Sequence, residues 1–337
     1  MRCMSKRLIA PLLLLGPVFA STATGQTTTG QTTWYKFSKS FISQHFASDS
    51  AFGTLQANKS FPASAPHPVS CGGQDGELHI GVAASDITDQ SEEAPVSAMA
   101  DGSDVFGIVA EPPNVTSAAN KNLQALKGQP ITFTGYFRVW NEGHDRGATF
   151  PSNPHHVLEL HPAWGFESGN AKFANPAVIY PMQQYRGYGA SKFGPLLTSI
   201  MKDQWLRVYE DNEFLYLQLK KADNFYQLPV LVKNIRLVQA GKEALVDVYS
   251  GPPTNRLVFP DLTVVTVEGT DIFNKLSVGQ RVYLLGFFSV DVKAALSDAN
   301  GHTSEATSAF AKSALEFFAF GVPRQSAVPS CSANEGR

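Results

Sequence analysis

One phrase occurs twice in this chain. Gly128-Gln129-Pro130-Ile131-Thr132-Phe133-Thr134-Gly135-Tyr136-Phe137-Arg138-Val139 returns as Gly279-Gln280-Arg281-Val282-Tyr283-Leu284-Leu285-Gly286-Phe287-Phe288-Ser289-Val290. Gly, Gln, a β-branched residue, Gly, two aromatics and Val recur in order. Each copy is followed, after a polar stretch, by a Leu-Glu strand: Leu158-Glu159-Leu160 and Leu315-Glu316-Phe317. Internal self-similarity of this size points to one small unit used twice. The expected superposition places Gly135 on Gly286 and Glu159 on Glu316.

The segments around the second phrase have a definite order. Val230–Val238, Ala244–Tyr249 and Leu262–Val267 alternate as strands. Asp271–Leu276 reads as a short helix capped by Thr270 or Asp271, and strands follow at Val282–Val290 and Ala314–Phe320. Three strands, a short helix and two strands is the order of the OB-fold, a five-stranded Greek-key barrel. The first phrase sits in the same plan. Glu77–Val82 and Phe106–Glu111 are strands, Thr116–Lys127 is a helix ended by Gly128, and Ile131–Trp140 and Val157–Phe166 are the last two strands. Its opening strand is open between Pro68–Gly73 and an earlier segment. The expected fold class is therefore mainly β, two tandem OB-like five-stranded barrels with short helices.

The rest of the chain divides around these barrels. Residues 1–20 have the form of a signal peptide: Arg2, Lys6 and Arg7, then an apolar run from Leu8 to Ala20, with Val18-Phe19-Ala20 as the cleavage site. Residues 21–65 are a Thr/Gly/Gln-rich tether followed by Trp34–Phe46, whose apolar spacing reads as a short amphipathic helix. The first barrel takes 66–170. Residues 171–226 are an irregular connector with a hairpin, Trp205–Tyr209 against Phe214–Leu219. The second barrel takes 227–325, and 326–337 are a tail. The expected location is extracytoplasmic, periplasmic or secreted, where Cys71 and Cys331 could form a bridge. No stretch has the length of a membrane span.

The candidate chemistry lies in the first barrel. Glu77-Leu78-His79-Ile80 and Glu159-Leu160-His161-Pro162 share a spacing. Period two places Glu77 with His79, and Glu159 with His161, on one face, while the leucines and Ile80 point into a core. Carboxylates with neutral imidazoles suit zinc and similar divalent ions, and also acid–base work. His79, Glu159 and His161 form the candidate metal set; a hydrogen-bonded structural network is the alternative. The polar loop before the last strand adds Glu142, His144, Asp145, Arg146, His155 and His156. Five of the eight histidines fall at 79, 144, 155, 156 and 161. A second candidate ligand surface is the aromatic stretch Tyr180, Tyr185, Arg186, Tyr188 with Lys192, alongside His144 and Asp145: aromatics beside cations stack on sugars or bases.

The layout Asp75-Gly76-Glu77-Leu78-His79-Ile80, then Ile108-Val109-Ala110-Glu111, then Ile131–Phe137, then Leu158-Glu159-Leu160-His161-Pro162, resembles a group of uncharacterised exported bacterial proteins. Those carry a D-G-D-x-H strand, an acidic I-x-E-x-P strand and an E-L-H-P-V strand. The likeness covers residues 71–166. Glu77 stands for their Asp, Ala163 for their Val, and Gly143-His144-Asp145-Arg146-Gly147 replaces their His-Gly-Gln loop. The resemblance implies export and a small β-domain, and no reaction.

Net charge is −2 with 17% charged residues. That balance disfavours a dedicated nucleic-acid binder. Three function classes remain. The leading one is an exported binding protein for a small ligand, glycan or metal. The second is a secreted metal-dependent or acid–base hydrolase of nucleic acid or phosphodiesters. The third is a structural envelope protein.

Overall fold

β-branched and aromatic residues in alternation give most of the described residues to strands, as the sequence pattern predicts. A computed structural model describes residues 34–46, 52–66, 76–84, 96–98, 108–113, 115–141, 152–154, 156–169, 171–174, 206–219, 225–238, 241–250 and 254–321. All of these belong to the unit Thr32–Arg337. The amino-terminal signal and tether, Cys71, Cys331, and the loop and connector candidates His144, Asp145, Tyr185, Arg186 and Tyr188 lie outside the described residues.

In chain order the first elements are β1 (Trp34–Ser38), α1 (Lys39–His45), β2 (Phe52–Pro62), β3 (Ile80–Ala84), β4 (Val96–Ala98), β5 (Ile108–Ala110), α2 (Ser117–Ala125), β6 (Ile131–Val139), β7 (Leu158–Ser168) and β8 (Ala171–Ala174). The remainder are β9 (Leu206–Glu210), β10 (Phe214–Leu219), β11 (Phe225–Val238), β12 (Gly241–Tyr249), β13 (Leu257–Val267), β14 (Arg281–Val290), α3 (Val292–Ala299), β15 (Ala309–Phe310) and β16 (Leu315–Gly321).

Three sheets result. β11-β12-β13-β16-β14 close into a five-stranded barrel in which only the β13–β16 contact is parallel. β5-β3-β2-β6-β7-β8 form a six-stranded sheet, and a parallel β5–β7 contact joins its first strand to its fifth. β15-β9-β10-β1-β4 form a third sheet. Its inward residues Tyr35, Phe37, Val208, Leu215 and Leu217 join the same core as Phe137, Leu160 and Phe288.

The register repeats along with the sequence. Arg138 lies opposite Glu159 and Val139 opposite Leu158; Ser289 lies opposite Glu316 and Val290 opposite Leu315. Gly135 faces Ala163, and Gly286 faces Ala319. Both glycines are needed for close approach. A Cβ on Gly135 would stand 2.7 Å from Pro162 O, and one on Gly286 would run into Phe318 O.

Two local expectations are corrected and one open choice is resolved. Trp34–Phe46 is a strand followed by a helix. Tyr35 and Phe37 alternate into the core in β1, and Ser38 Oγ then accepts from Phe41 N at 3.1 Å, capping α1. The opening strand of the first sheet is β2, in the earlier of the two segments left open for it; it pairs with β3 and β6. Asp271–Leu276 is a series of turns rather than a helix, held by Phe273 N to Thr270 O and Lys275 N to Ile272 O. The hairpin Leu206–Glu210 with Phe214–Leu219 forms as expected, and Thr116 caps α2 through Ala119 N. No helix among the described residues is long and apolar enough to cross a membrane.

Candidate functional site: a buried carboxylate–imidazole cluster

The outer face of β6 and β7 is covered by the outer face of β14 and β16. Period two sends Phe137, Val139, Leu158 and Leu160 into the core and Tyr136, Arg138, Glu159 and His161 the other way. The Tyr136 ring lies 4.9 Å from Phe318, and the His161 ring 4.5 Å from Phe287. Under the sequence repeat Tyr136 corresponds to Phe287 and His161 to Phe318, so these two contacts are reciprocal. Polar contacts cross the same seam. Arg138 Nε donates to Phe288 O at 3.1 Å, and Val139 N donates to Ser289 Oγ at 3.1 Å.

Glu77 and His79 lead into β3. Leu78 and Ile80, which alternate with them, are fully buried, and Leu78 N donates to Pro112 O at 3.1 Å. Glu111 directly follows β5. Its N–H donates to Leu160 O at 2.9 Å and its carbonyl accepts from Ala163 N at 3.1 Å, so its backbone brackets His161. The Pro112-Pro113 pair then ends the strand.

His161 is the hub. Its Nε2 is 2.9 Å from Glu77 Oε1, its Nδ1 is 2.6 Å from Glu111 Oε2, and the same Nδ1 is 3.7 Å from Glu159 Oε1. The other oxygen of Glu111 reaches His79 Nε2 at 3.2 Å, so one carboxylate spans two imidazoles. Arg138 Nη1 donates to Glu159 Oε1 at 2.7 Å. His156 donates from Nδ1 to Pro154 O at 2.8 Å, which turns its Nε2 toward Glu159 Oε2 at 3.6 Å. The side chains of Glu77, Glu111, Glu159, Arg138, His156 and His161 are buried; His79 alone in the cluster reaches solvent, with 13% of its side chain exposed.

Burial and charge compete at each group. Burial pushes Glu159 up, but Arg138, His161 and His156 outweigh it and hold the carboxyl well below its usual range. Burial and then Glu159 push Glu111 up; His79 and His161 bring it down to a net lowering. Burial pushes His161 down, and Glu77, Glu159 and Glu111 together raise it well above an ordinary histidine. His156 follows the same logic, lowered by burial and raised on balance by Glu159.

Three carboxylates against one guanidinium leave two negative charges when the imidazoles are neutral. Protonation of imidazoles balances them, and so does one divalent cation. Two sets have ligand atoms all within 4.8 Å of one another: Glu77, Glu111 and His161, and Glu111, His156 and Glu159. Within the second set Glu159 is already engaged by Arg138, whose positive charge opposes a cation there.

Of the candidate metal set, Glu159 and His161 lie in the cluster and His79 joins it through Glu111. Glu111 and Arg138 were missed as site residues. Glu111 stands past the end of a short strand, and Arg138 reads as one polar residue within an apolar strand. The matching Ser289 in the second copy was the one available signal, since a scaffold position has no need to change from Ser to Arg. No known protein family, curated protein or solved structure matches the chain.

Proposed function

We propose that this chain is an exported binding protein of two tandem OB-like barrels that holds a divalent metal ion, zinc being the best fit, at the junction between them. Glu77, Glu111 and His161 supply the ligands, with His79 beside them on the solvent side, and Arg138 keeps Glu159 in place as the neighbouring carboxylate. The observation that carries the reading is that buried Glu77, Glu111 and His161 each bring one ligand atom within 4.8 Å of the other two. Carboxylate and imidazole are the donor types that zinc takes, and an ion of charge +2 matches the two negative charges left when the imidazoles are neutral.

Support for the tandem barrels comes from the pairing order. β2-β3-β5-β7-β6 repeats β11-β12-β13-β16-β14, each with one parallel contact, β5–β7 and β13–β16. Export rests on the amino-terminal charge and apolar pattern. Burial favours binding over hydrolysis. A phosphodiester must reach the reacting groups, and here the carboxylates lie at least 95% covered.

The test is elemental analysis of the full mature chain, purified without a histidine tag, followed by thermal unfolding with and without added zinc. The expected result is about one ion per chain and a raised midpoint, both lost in Glu111→Gln. A metal-free protein whose midpoint ignores zinc and cobalt overturns the reading.

A further inference from the structure

A groove of about 270 Å³ lies on the closed barrel, apart from the buried cluster. Pro229 forms part of its floor. Tyr283 pairs with Pro229 across one strand boundary, and Tyr249 follows Val248, the partner of Val230, across the other. The two tyrosines therefore stand on either side of β11, roughly 9–10 Å apart at the backbone. Arg281 shares the β14 face with Tyr283, and its guanidinium carbon sits 4.6 Å from the centre of the Tyr249 ring. Asn255 also lines it, and none of the described residues lining the groove is a carboxylate.

These polar groups are unspent. Among the described residues Arg281 makes no ion pair, and no hydrogen bond engages the hydroxyl of Tyr249 or Tyr283. The guanidinium lies over the Tyr249 ring, and its N–H groups remain for a planar oxyanion. The internal repeat supplies an independent argument. At the matching positions of the first copy stand Pro130 and Thr132, while the flanking Gly, Gln and β-branched residues are retained. The scaffold therefore requires neither Arg281 nor Tyr283.

We infer that this groove binds one uronic-acid unit of an acidic glycan, with the sugar ring between Tyr249 and Tyr283 on Pro229 and its carboxylate on Arg281. The volume is below that of a typical cofactor site and suits a single ring. One arginine, with no lysine in the lining, matches the single charge of a carboxylate better than the double charge of a phosphate monoester. The bare amide of Asn255 and the two phenol hydroxyls suit the hydroxyls of a sugar.

The experiment is isothermal titration of the full chain with a hexamer of galacturonic acid, beside neutral maltohexaose and a thymidine 12-mer. Saturable binding of the uronate is expected. Arg281→Gln and Tyr283→Ala should each weaken it roughly tenfold, with maltohexaose weaker by at least a similar factor. Chelation with EDTA, which would strip the proposed metal, should leave uronate affinity unchanged, so failure of the metal reading and failure of this one are distinguishable. Arg281 is exposed, so Arg281→Gln keeps the fold even if Tyr283→Ala does not. No saturable uronate binding, equal affinity in Arg281→Gln, or tighter binding of the thymidine 12-mer overturns the proposal.

Discussion

Glu159 and Glu316 occupy the same register position on the last strand of their sheets, opposite Arg138 and Ser289 respectively, and they are held in opposite ionisation states. Arg138 keeps Glu159 ionised. Glu316 has a serine where Glu159 has a guanidinium. Burial, then the charge of Asp291, pushes it up to about 8, against a smaller opposing effect of the Tyr136 hydroxyl that donates to it. At neutral pH Glu316 is a buried neutral acid.

This makes stability fall with rising pH. The folded chain binds the Glu316 proton more tightly than the unfolded chain, whose carboxyl is near 4.5. The contribution is complete below pH 4.5 and is lost as pH rises through about 8. The loss is on the order of 4–5 kcal/mol over that window. Glu316→Gln keeps an acceptor for Tyr136 and removes the titration. Urea unfolding from pH 5 to 9 should show the variant overtaking the parent above pH 8; parallel profiles would rule this out.

Arg138→Met leaves Glu159 buried with its main counter-charge removed. A destabilisation of about 3–5 kcal/mol is expected. Glu159→Gln in the same background should restore part of it, because the stranded charge is then gone. A double-mutant cycle by denaturant unfolding measures both.

Metal removal should depend on pH in a definite direction. The raised affinity of His161 for its proton stabilises the metal-free fold below about pH 6.5 and fades as pH rises through its higher folded value. An ion at the proposed site would replace that proton. Chelation should therefore lower the unfolding midpoint more at pH 8.5 than at pH 6, and in His161→Gln the difference should vanish.

The two repeat glycines should tolerate substitution unequally. Gly135→Ala and Gly286→Ala both force a Cβ against the backbone of the neighbouring strand, costing about 1–3 kcal/mol or more. Gly286→Ala meets Phe318 O and the Phe317 ring together and should be the more damaging. Equal midpoints in the two variants would contradict this.

Much of this arrangement was legible in residues such as Leu158-Glu159-Leu160-His161. Alternation reveals which side chains leave the core, and the repeated phrase reveals the shared register. Alternation cannot reveal what covers the outward face. Burial of Arg138 and His161 comes from Phe287 and Phe288, more than 120 positions away along the chain. Glu111 was illegible for a related reason. It acquires its place from backbone bonds to Leu160 and Ala163, which appear only when β5 lies parallel to β7. Trp34–Phe46 misled because a strand and a helix of five and seven residues are each too short for a period to declare itself.

The reciprocal seam has one more implication. Two identical chains meeting across a two-fold axis must present every side chain twice. Each His161 would then face the other copy's Tyr136, and the seam would hold two imidazoles and two buried arginines. Joining both halves in one polypeptide removes that obligation. Tyr136, Arg138 and His161 on one side could keep ionisable chemistry while Phe287, Ser289 and Phe318 on the other became an uncharged wall. A single asymmetric centre per molecule, enclosed by near-symmetric walls, is something a covalent pair can evolve and a homodimer cannot.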